Sequence, residues 1–318
     1  MNFKAITKIV ATGSVDGVLT SAALLRLIGN ANEVGLEFAQ AFTVDRINPA
    51  AWAPGQKVAL VDLAVNNRDE SMTVAFVARL KEAGHEVVAV CDEHNREDWE
   101  RVLGTLEGLI VEPQSQTAEG GPGSSGEVLR RALEAAGMEV DSHTSELLSA
   151  ADAADRMVFE GLGALVNQSV KSAIADDTRR VYLARHLAEN QEADSTIQGW
   201  IKEYEVILAN HQEILDAKSD LGDGITRVNA IGHQVDMTTL MSTLYRSGAR
   251  VVALEGEAFN KSLGRKTRQI SFGTADKGLD LLAVVKAAVP SASGFAQKAN
   301  VDPEHEEAAL AAIRAAIK

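Results

Sequence analysis

The sequence predicts an α/β protein: a mainly parallel sheet flanked by helices, then a helical linker and a smaller C-terminal α/β domain. Three observations predict it. Short aliphatic runs alternate with helix-patterned runs as far as Val111, the pattern of parallel strands covered on both faces by helices. From Thr144 to about Lys218 the patterning is almost only helical. Beyond Asp220-Leu221-Gly222-Asp223-Gly224 strand-like and helix-like runs alternate again. The divisions fall at 1–185, 186–220 and 221–318.

In chain order, Ile6–Ala11 reads as a strand and Gly17–Ile28 as a helix with an apolar face. Val34–Val44 reads as a second strand, and Lys57–Val61 as a buried one by its unbroken aliphatic character. Glu70–Ala83 is helical, Glu86–Val90 a strand, and Gly108–Val111 a short strand. Pro113–Gly126, rich in glycine and proline, reads as a loop before a helix over about Glu127–Ala136. Tyr182–Lys218 has no proline and one glycine, which predicts a long helix or a helix pair. The last part predicts strands at Thr226–Ile231, Arg250–Leu254 and Arg268–Phe272, and helices at Thr238–Ser247, Leu279–Ala288 and Glu304–Ile317.

The 318 residues suffice for two domains, and 46% hydrophobic with 24% charged residues is a globular balance. No apolar run is long enough for a membrane-spanning helix, and the start lacks signal-peptide architecture. A cytoplasmic location is the expectation. Cys91 is the single cysteine, which excludes an intramolecular disulfide and a cysteine-built zinc site. A net charge of −14 disfavours an extended duplex as partner, while leaving room for a small nucleotide or a strand end.

Three aspartates follow or close predicted strands: Asp16 in the turn after the first, Asp62 after Val61, and Asp92 after Cys91, with Glu93 and His94 next. C-terminal strand ends of an open parallel sheet face the ligand crevice. Carboxylates delivered there from separate strands repel one another, and a divalent cation is the usual neutraliser. Helix capping by each acid is the competing reading. The turn does not spell a dinucleotide fingerprint, and no nucleophile elbow accompanies Ser14 or Ser21. No role is assigned to His143, His186, His211 or His233.

Thr12-Gly13-Ser14-Val15-Asp16-Gly17, with a small-residue helix after it, resembles the His-x-Asp-x-Asp-Gly motif of the DHH phosphoesterases. That superfamily includes RecJ-type exonucleases, oligoribonucleases, cyclic-dinucleotide phosphodiesterases and type II pyrophosphatases. Asp62 matches its second motif, Asp92-Glu93-His94 its Asp-His-His motif, and Asp155 in Ala151–Arg156 its fourth. Pro122–Glu127 resembles the turn and helix start between the third and fourth motifs. The C-terminal region resembles the accessory DHHA1 domain, with Ser293-Gly294-Phe295 where the family has a Gly-Gly-His turn.

The resemblance implies a metal-dependent phosphoesterase acting on a small nucleotide or short oligonucleotide. Asp16, Asp62, Glu93 and Asp155 are then the metal ligands, and an all-carboxylate set favours one or two Mn²⁺ or Mg²⁺ ions. His94 contacts the phosphate, and Asp92 supports its neighbours. Arg265, Lys266 and Arg268, with Ser293 and Gly294, become the substrate-binding candidates of the small domain; a solvated strand edge competes for the three cations. A loop open to solvent is the reading preferred for Gly120–Gly126. Thr12 and Ser14 stand where the family has histidine and aspartate, which weakens one ion site. The alternative is a catalytically degenerate member that binds a nucleotide or a protein partner without turnover.

Overall fold

A computed structural model describes residues 1–66, 69–190, 192–260 and 265–317, without the side chains of 259, 260 and 295. The chain forms two compact units, Met1–Lys202 and Glu203–Lys318.

In the first unit, β1 (Lys8–Thr12), α1 (Val15–Ile28), β2 (Gly35–Ala39), β3 (Lys57–Val61), α2 (Glu70–Glu82), β4 (Glu86–Cys91) and α3 (Arg96–Leu103) come in turn. The helices α4 (Ser125–Ala135), α5 (Ser142–Asp155), α6 (Gly161–Lys171) and α7 (Asp177–Glu189) follow. The sheet order is β2-β1-β3-β4, and every pairing is parallel.

Pleating explains why these strands read as unbroken aliphatic runs. Ile9, Ala11, Ala59, Val61, Ala89 and Cys91 join the core under α1 and α4–α7. Their neighbours Val10, Val58, Leu60 and Val90 pack on the other face against Phe76, Leu80 and Trp99 of α2 and α3. With both faces buried, neither parity can be polar. The order also fixes a crevice. The chain leaves β1 for β2 on one side and returns to β3 on the other, so the C-terminal ends of β1 and β3 form a topological switch point.

Gly108–Val111 is no strand. It lends β4 only two backbone bonds, Ile110 N–H to Val88 O at 2.7 Å and Val90 N–H to Val111 O at 2.9 Å, too few for a ladder.

Helix α8 (Ser195–Asp216) runs across the division between the units, so the Tyr182–Lys218 stretch is a helix pair, α7 and α8. The second unit adds β5 (Ser219–Asp220), β6 (Ile225–Asn229), α9 (Met237–Arg246), β7 (Val251–Asn260) and β8 (Arg265–Thr274). Then come α10 (Leu281–Ala288), β9 (Ser293–Phe295), β10 (Lys298–Val301) and α11 (Glu306–Ala316). Its mixed sheet runs β5-β6-β7-β8-β10-β9. Val251, Ala253, Ile270 and Phe272 pack on α10 and α11, while Val252 and Leu254 pack on α9.

Candidate metal centre

The switch point gathers the acids of the first unit. Ser14 caps α1, its Oγ accepting from Gly17 N–H at 2.8 Å, so Asp16 is not spent as the cap and turns inward from the first helical turn. A Cβ on Gly17 would lie 2.1 Å from the Thr12 carbonyl oxygen and 3.2 Å from Asp62 Oδ2, so only glycine lets α1 start this close to β1. Asp62 adopts φ 52°, a left-handed conformation that aspartate tolerates better than most side chains. Its N–H donates to Cys91 O at 2.8 Å, keeping the β3 end beside β4. Asp69 caps α2, and Asn95 precedes α3. None of Asp16, Asp62 and Asp92 is therefore a helix cap.

Two overlapping clusters result. One carboxylate oxygen from each of Asp16, Glu93 and Asp155 lies within 4.8 Å of the others. Ligating atoms of Asp62, Asp92, Glu93 and His94 meet the same limit, so Glu93 belongs to both. Asp155, at the end of α5, is exposed, whereas Asp16, Asp62, Asp92 and Glu93 are buried.

Burial sets the electrostatics. It pushes the Asp16 carboxyl up to about 6, against the hydrogen bonds from Ser125 and Thr20. It raises Asp62 well above the usual range, with the charges of Asp16, Glu93 and Asp92 adding to the effect. It carries Glu93 up to about 9, again with help from Asp92 and Asp16. Partial burial raises Asp155. His94 moves the opposite way in charge: the hydrogen bond to Asp92 raises it to about 9, which favours imidazolium.

The hydrogen bonds are unevenly distributed. Asp16 is well served, accepting from Thr20 Oγ1 at 2.8 Å, Ser125 Oγ at 2.9 Å and Ser125 N–H at 2.9 Å. Asp92 accepts from the Trp99 indole at 2.6 Å and pairs with His94 Nδ1 at 2.8 Å. Ser14 Oγ donates to Asp62 Oδ2, and Thr12 Oγ1 to Asp62 O. Glu93 Oε2 is buried and has no hydrogen-bond partner among the described residues. A carboxylate oxygen left bare in a group of buried acids fits a hard divalent cation.

Sequence reasoning missed the supports of these acids, which are the Ser124–Gly126 turn, Trp99 and Arg180. Ser124 and Ser125, in a stretch expected to be open to solvent, are fully buried. The Ser124 hydroxyl caps α4 by accepting from Glu127 N–H at 3.0 Å, which aims the Ser125 N–H at Asp16. A Cβ on Gly126 would sit 2.7 Å from Ala151 Cβ, so glycine lets α4 lie against α5. The Ser-x-x-Glu capping pattern of Ser124–Glu127 was the available signal. Trp99 as the clamp of Asp92 and Arg180 as a donor to Gly13 O at 2.9 Å had none.

In the second unit, Arg265, Lys266 and Arg268 lie where β8 pairs with β7 alone, on a two-stranded extension past β10. Arg268 is tied to Glu255, which also takes Arg227 at 3.0 Å. Lys266 lines a cavity of about 580 Å³ with His233, Gln269, Ser271 and Lys298. Ser293 and Gly294 are exposed on the edge strand β9. Gly294 has φ 142°, and a Cβ there would meet Lys298 O at 2.0 Å. The side chain of residue 295, at the place of the histidine in the Gly-Gly-His turn that the C-terminal region resembles, lies outside the described residues.

No family model and no curated protein matches the sequence. Solved structures do. The pGpG-specific phosphodiesterase PggH of Vibrio cholerae is 11% identical over 98% of both chains, with a TM-score of 0.63. RecJ of Thermus thermophilus, solved with Mn²⁺, is 15% identical over 98% of this chain and 51% of its own, with a TM-score of 0.57. This chain thus spans about half of that protein. A DHH domain from a family of ribosomal proteins is 12% identical over 99% of this chain and 88% of its own, at 0.54. The fold of this chain is that of the DHH phosphoesterases.

Proposed function

We propose that the protein is a metal-dependent phosphoesterase that hydrolyses a phosphodiester of a small nucleotide or short oligonucleotide. The observation that carries this reading is the buried carboxylate cluster, in which Glu93 Oε2 has no hydrogen-bond partner among the described residues. Asp16, Asp62, Glu93 and Asp155 would hold Mn²⁺ or Mg²⁺. A cation bound there supplies a Lewis acid that polarises the phosphate and lowers the pKa of water.

The chain's own residues do the rest. The Trp99 indole fixes Asp92, Asp92 fixes His94 through Nδ1, and the ring is held as imidazolium near neutral pH. His94 is 40% exposed, so its free edge is available to a phosphate oxygen. Asp92 is thereby a positioning residue. The Ser125 N–H and hydroxyl hold the Asp16 carboxylate in one orientation. The second unit is assigned the substrate-binding role, with Arg265, Lys266, Arg268, Ser293 and Gly294 as its candidate contacts. The shared fold adds support, since PggH is a pGpG phosphodiesterase and RecJ an exonuclease.

The test is calorimetric titration with Mn²⁺ and Mg²⁺, joined to a turnover panel of pGpG, other dinucleotides, short oligonucleotides, cyclic dinucleotides and pyrophosphate. Asp62→Ala should abolish both metal binding and turnover. Absence of measurable affinity for either ion, or affinity unchanged in Asp62→Ala, removes the proposal.

One observation favours a second reading, binding without turnover. The hydroxyls of Thr12 and Ser14 bring no charge, and Ser14 occupies one Asp62 oxygen. Nucleotide binding with no product across the whole panel would establish it.

A further inference from the structure

A cavity of about 710 Å³ opens in the first unit where β2 ends, on the far side of β1 from β3. Gly13 lines it, and the flanking Thr12 and Ser14 both donate to Asp62, so one rim is a single residue from the carboxylate cluster. The guanidinium of Arg180 closes that rim; it is 5% exposed, donating from Nε to Gly13 O and from Nη2 to Ile174 O, each at 2.9 Å.

The other wall carries Phe42, whose side chain is an unusually exposed aromatic at 64%. Beside it lie Gln40, Arg46 and Asn48, whose side chains make no hydrogen bond or ion pair among the described residues. An uncovered π face beside unspent amides, each a donor and an acceptor, and a free cation together suit a base attached to a phosphate. Pyrophosphate would use neither ring nor amides, and a sugar phosphate would leave the ring bare.

We infer that this cavity holds the nucleobase of the substrate, stacked on Phe42 and contacted at its edge by Gln40 and Asn48, while its phosphate lies at the carboxylate cluster. The inference rests on the phosphoesterase reading and adds to it the place where the base of its nucleotide substrate is held.

Calorimetry on the full chain in Mn²⁺ tests it with guanosine and uridine 5′-monophosphates and with ribose 5-phosphate. Both nucleotides should bind tighter than ribose 5-phosphate. Phe42→Ala should weaken them about 5-fold or more, and Asn48→Ala should weaken at least one. Neither substitution should change ribose 5-phosphate affinity or the melting temperature, because both side chains are exposed. Equal affinity for nucleotide and ribose 5-phosphate, no nucleotide binding, or nucleotide affinity indifferent to Phe42→Ala overturns the inference. The two readings fail separately. Phe42-dependent binding in a protein without turnover keeps the cavity and removes hydrolysis; Asp62-dependent turnover with binding indifferent to Phe42 removes only the cavity.

Discussion

Glu93→Gln should make the metal-free protein more stable, and increasingly so as pH rises. The carboxyl is pushed from its usual 4.5 up to about 9, first by burial and then by Asp92 and Asp16. A raised folded-state pKa means that the folded chain holds a proton the unfolded chain has released. The contribution is therefore fully present below about pH 4.5 and is lost as pH climbs toward 9. Between pH 4.5 and 7 the slope is about 1.4 kcal/mol per pH unit, which amounts to about 3 kcal/mol at neutrality. Glutamine keeps the shape of the side chain and carries no charge. In the difference between the two proteins, groups that titrate alike cancel. Urea denaturation in chelator at several pH values reads this difference directly. It should be near zero at pH 4.5 and reach about 3 kcal/mol by pH 7. Saturating Mn²⁺ should erase the trend in the unsubstituted protein, with proton release seen as a buffer-dependent heat of binding. Parallel stability profiles for the two metal-free proteins from pH 4.5 to 7.5 would refute the account of the cluster.

Three more perturbations probe separate parts of the structure. Gly17→Ala places a Cβ 2.1 Å from the Thr12 carbonyl oxygen, which is backbone and cannot move aside; urea denaturation should show a loss of about 1–3 kcal/mol or more. Trp99→Phe removes the indole donor to Asp92 and leaves a buried carboxylate oxygen unpaired, at a cost of about 2 kcal/mol; on the proposed phosphoesterase reading, with His94 less firmly placed, kcat should drop about 10-fold. Asp236→Ala strips the cap of α9 and the acceptor of Tyr204 Oη at 2.9 Å. It should lower stability by about 2 kcal/mol and leave Mn²⁺ affinity unaltered, since every proposed ligand belongs to the first unit.

The first sheet was legible because its strands are buried on both faces, so their aliphatic runs admit few other structures. Helices such as α2 and α9 were found within a residue or so, both starting after an aspartate that caps them. What escaped was short or held by distant partners. β9 and β10 are three and four residues long and contain Gly294 and Lys298, which no strand pattern would single out. Val111 reads as strand by its side chains, yet only a single β4 N–H reaches its carbonyl, and hydrogen-bond continuity cannot be read from composition.

The acids were legible for a different reason. An aspartate soon after a strand is weak evidence singly, but strand order brings three such residues into two overlapping clusters, and the parallel pattern implied their common end of the sheet. The supports were not legible, because Ser125 comes from a segment 109 residues beyond Asp16, and small residues before a helix look the same whether they face solvent or a carboxylate. Thr12 and Ser14 carry the most consequence. In sequence they are only a hydroxyl pair at the places where the resemblance expects an imidazole and a carboxylate. In three dimensions both hydroxyls are donors to Asp62, so the positions still contact that aspartate and satisfy it without charge. Replacing Ser14 by aspartate would add another carboxylate to acids already forced above their usual pKa by burial. The hydroxyl thus avoids that repulsion in the metal-free protein and, on the proposed metal-dependent reading, leaves one carboxylate fewer for a second cation.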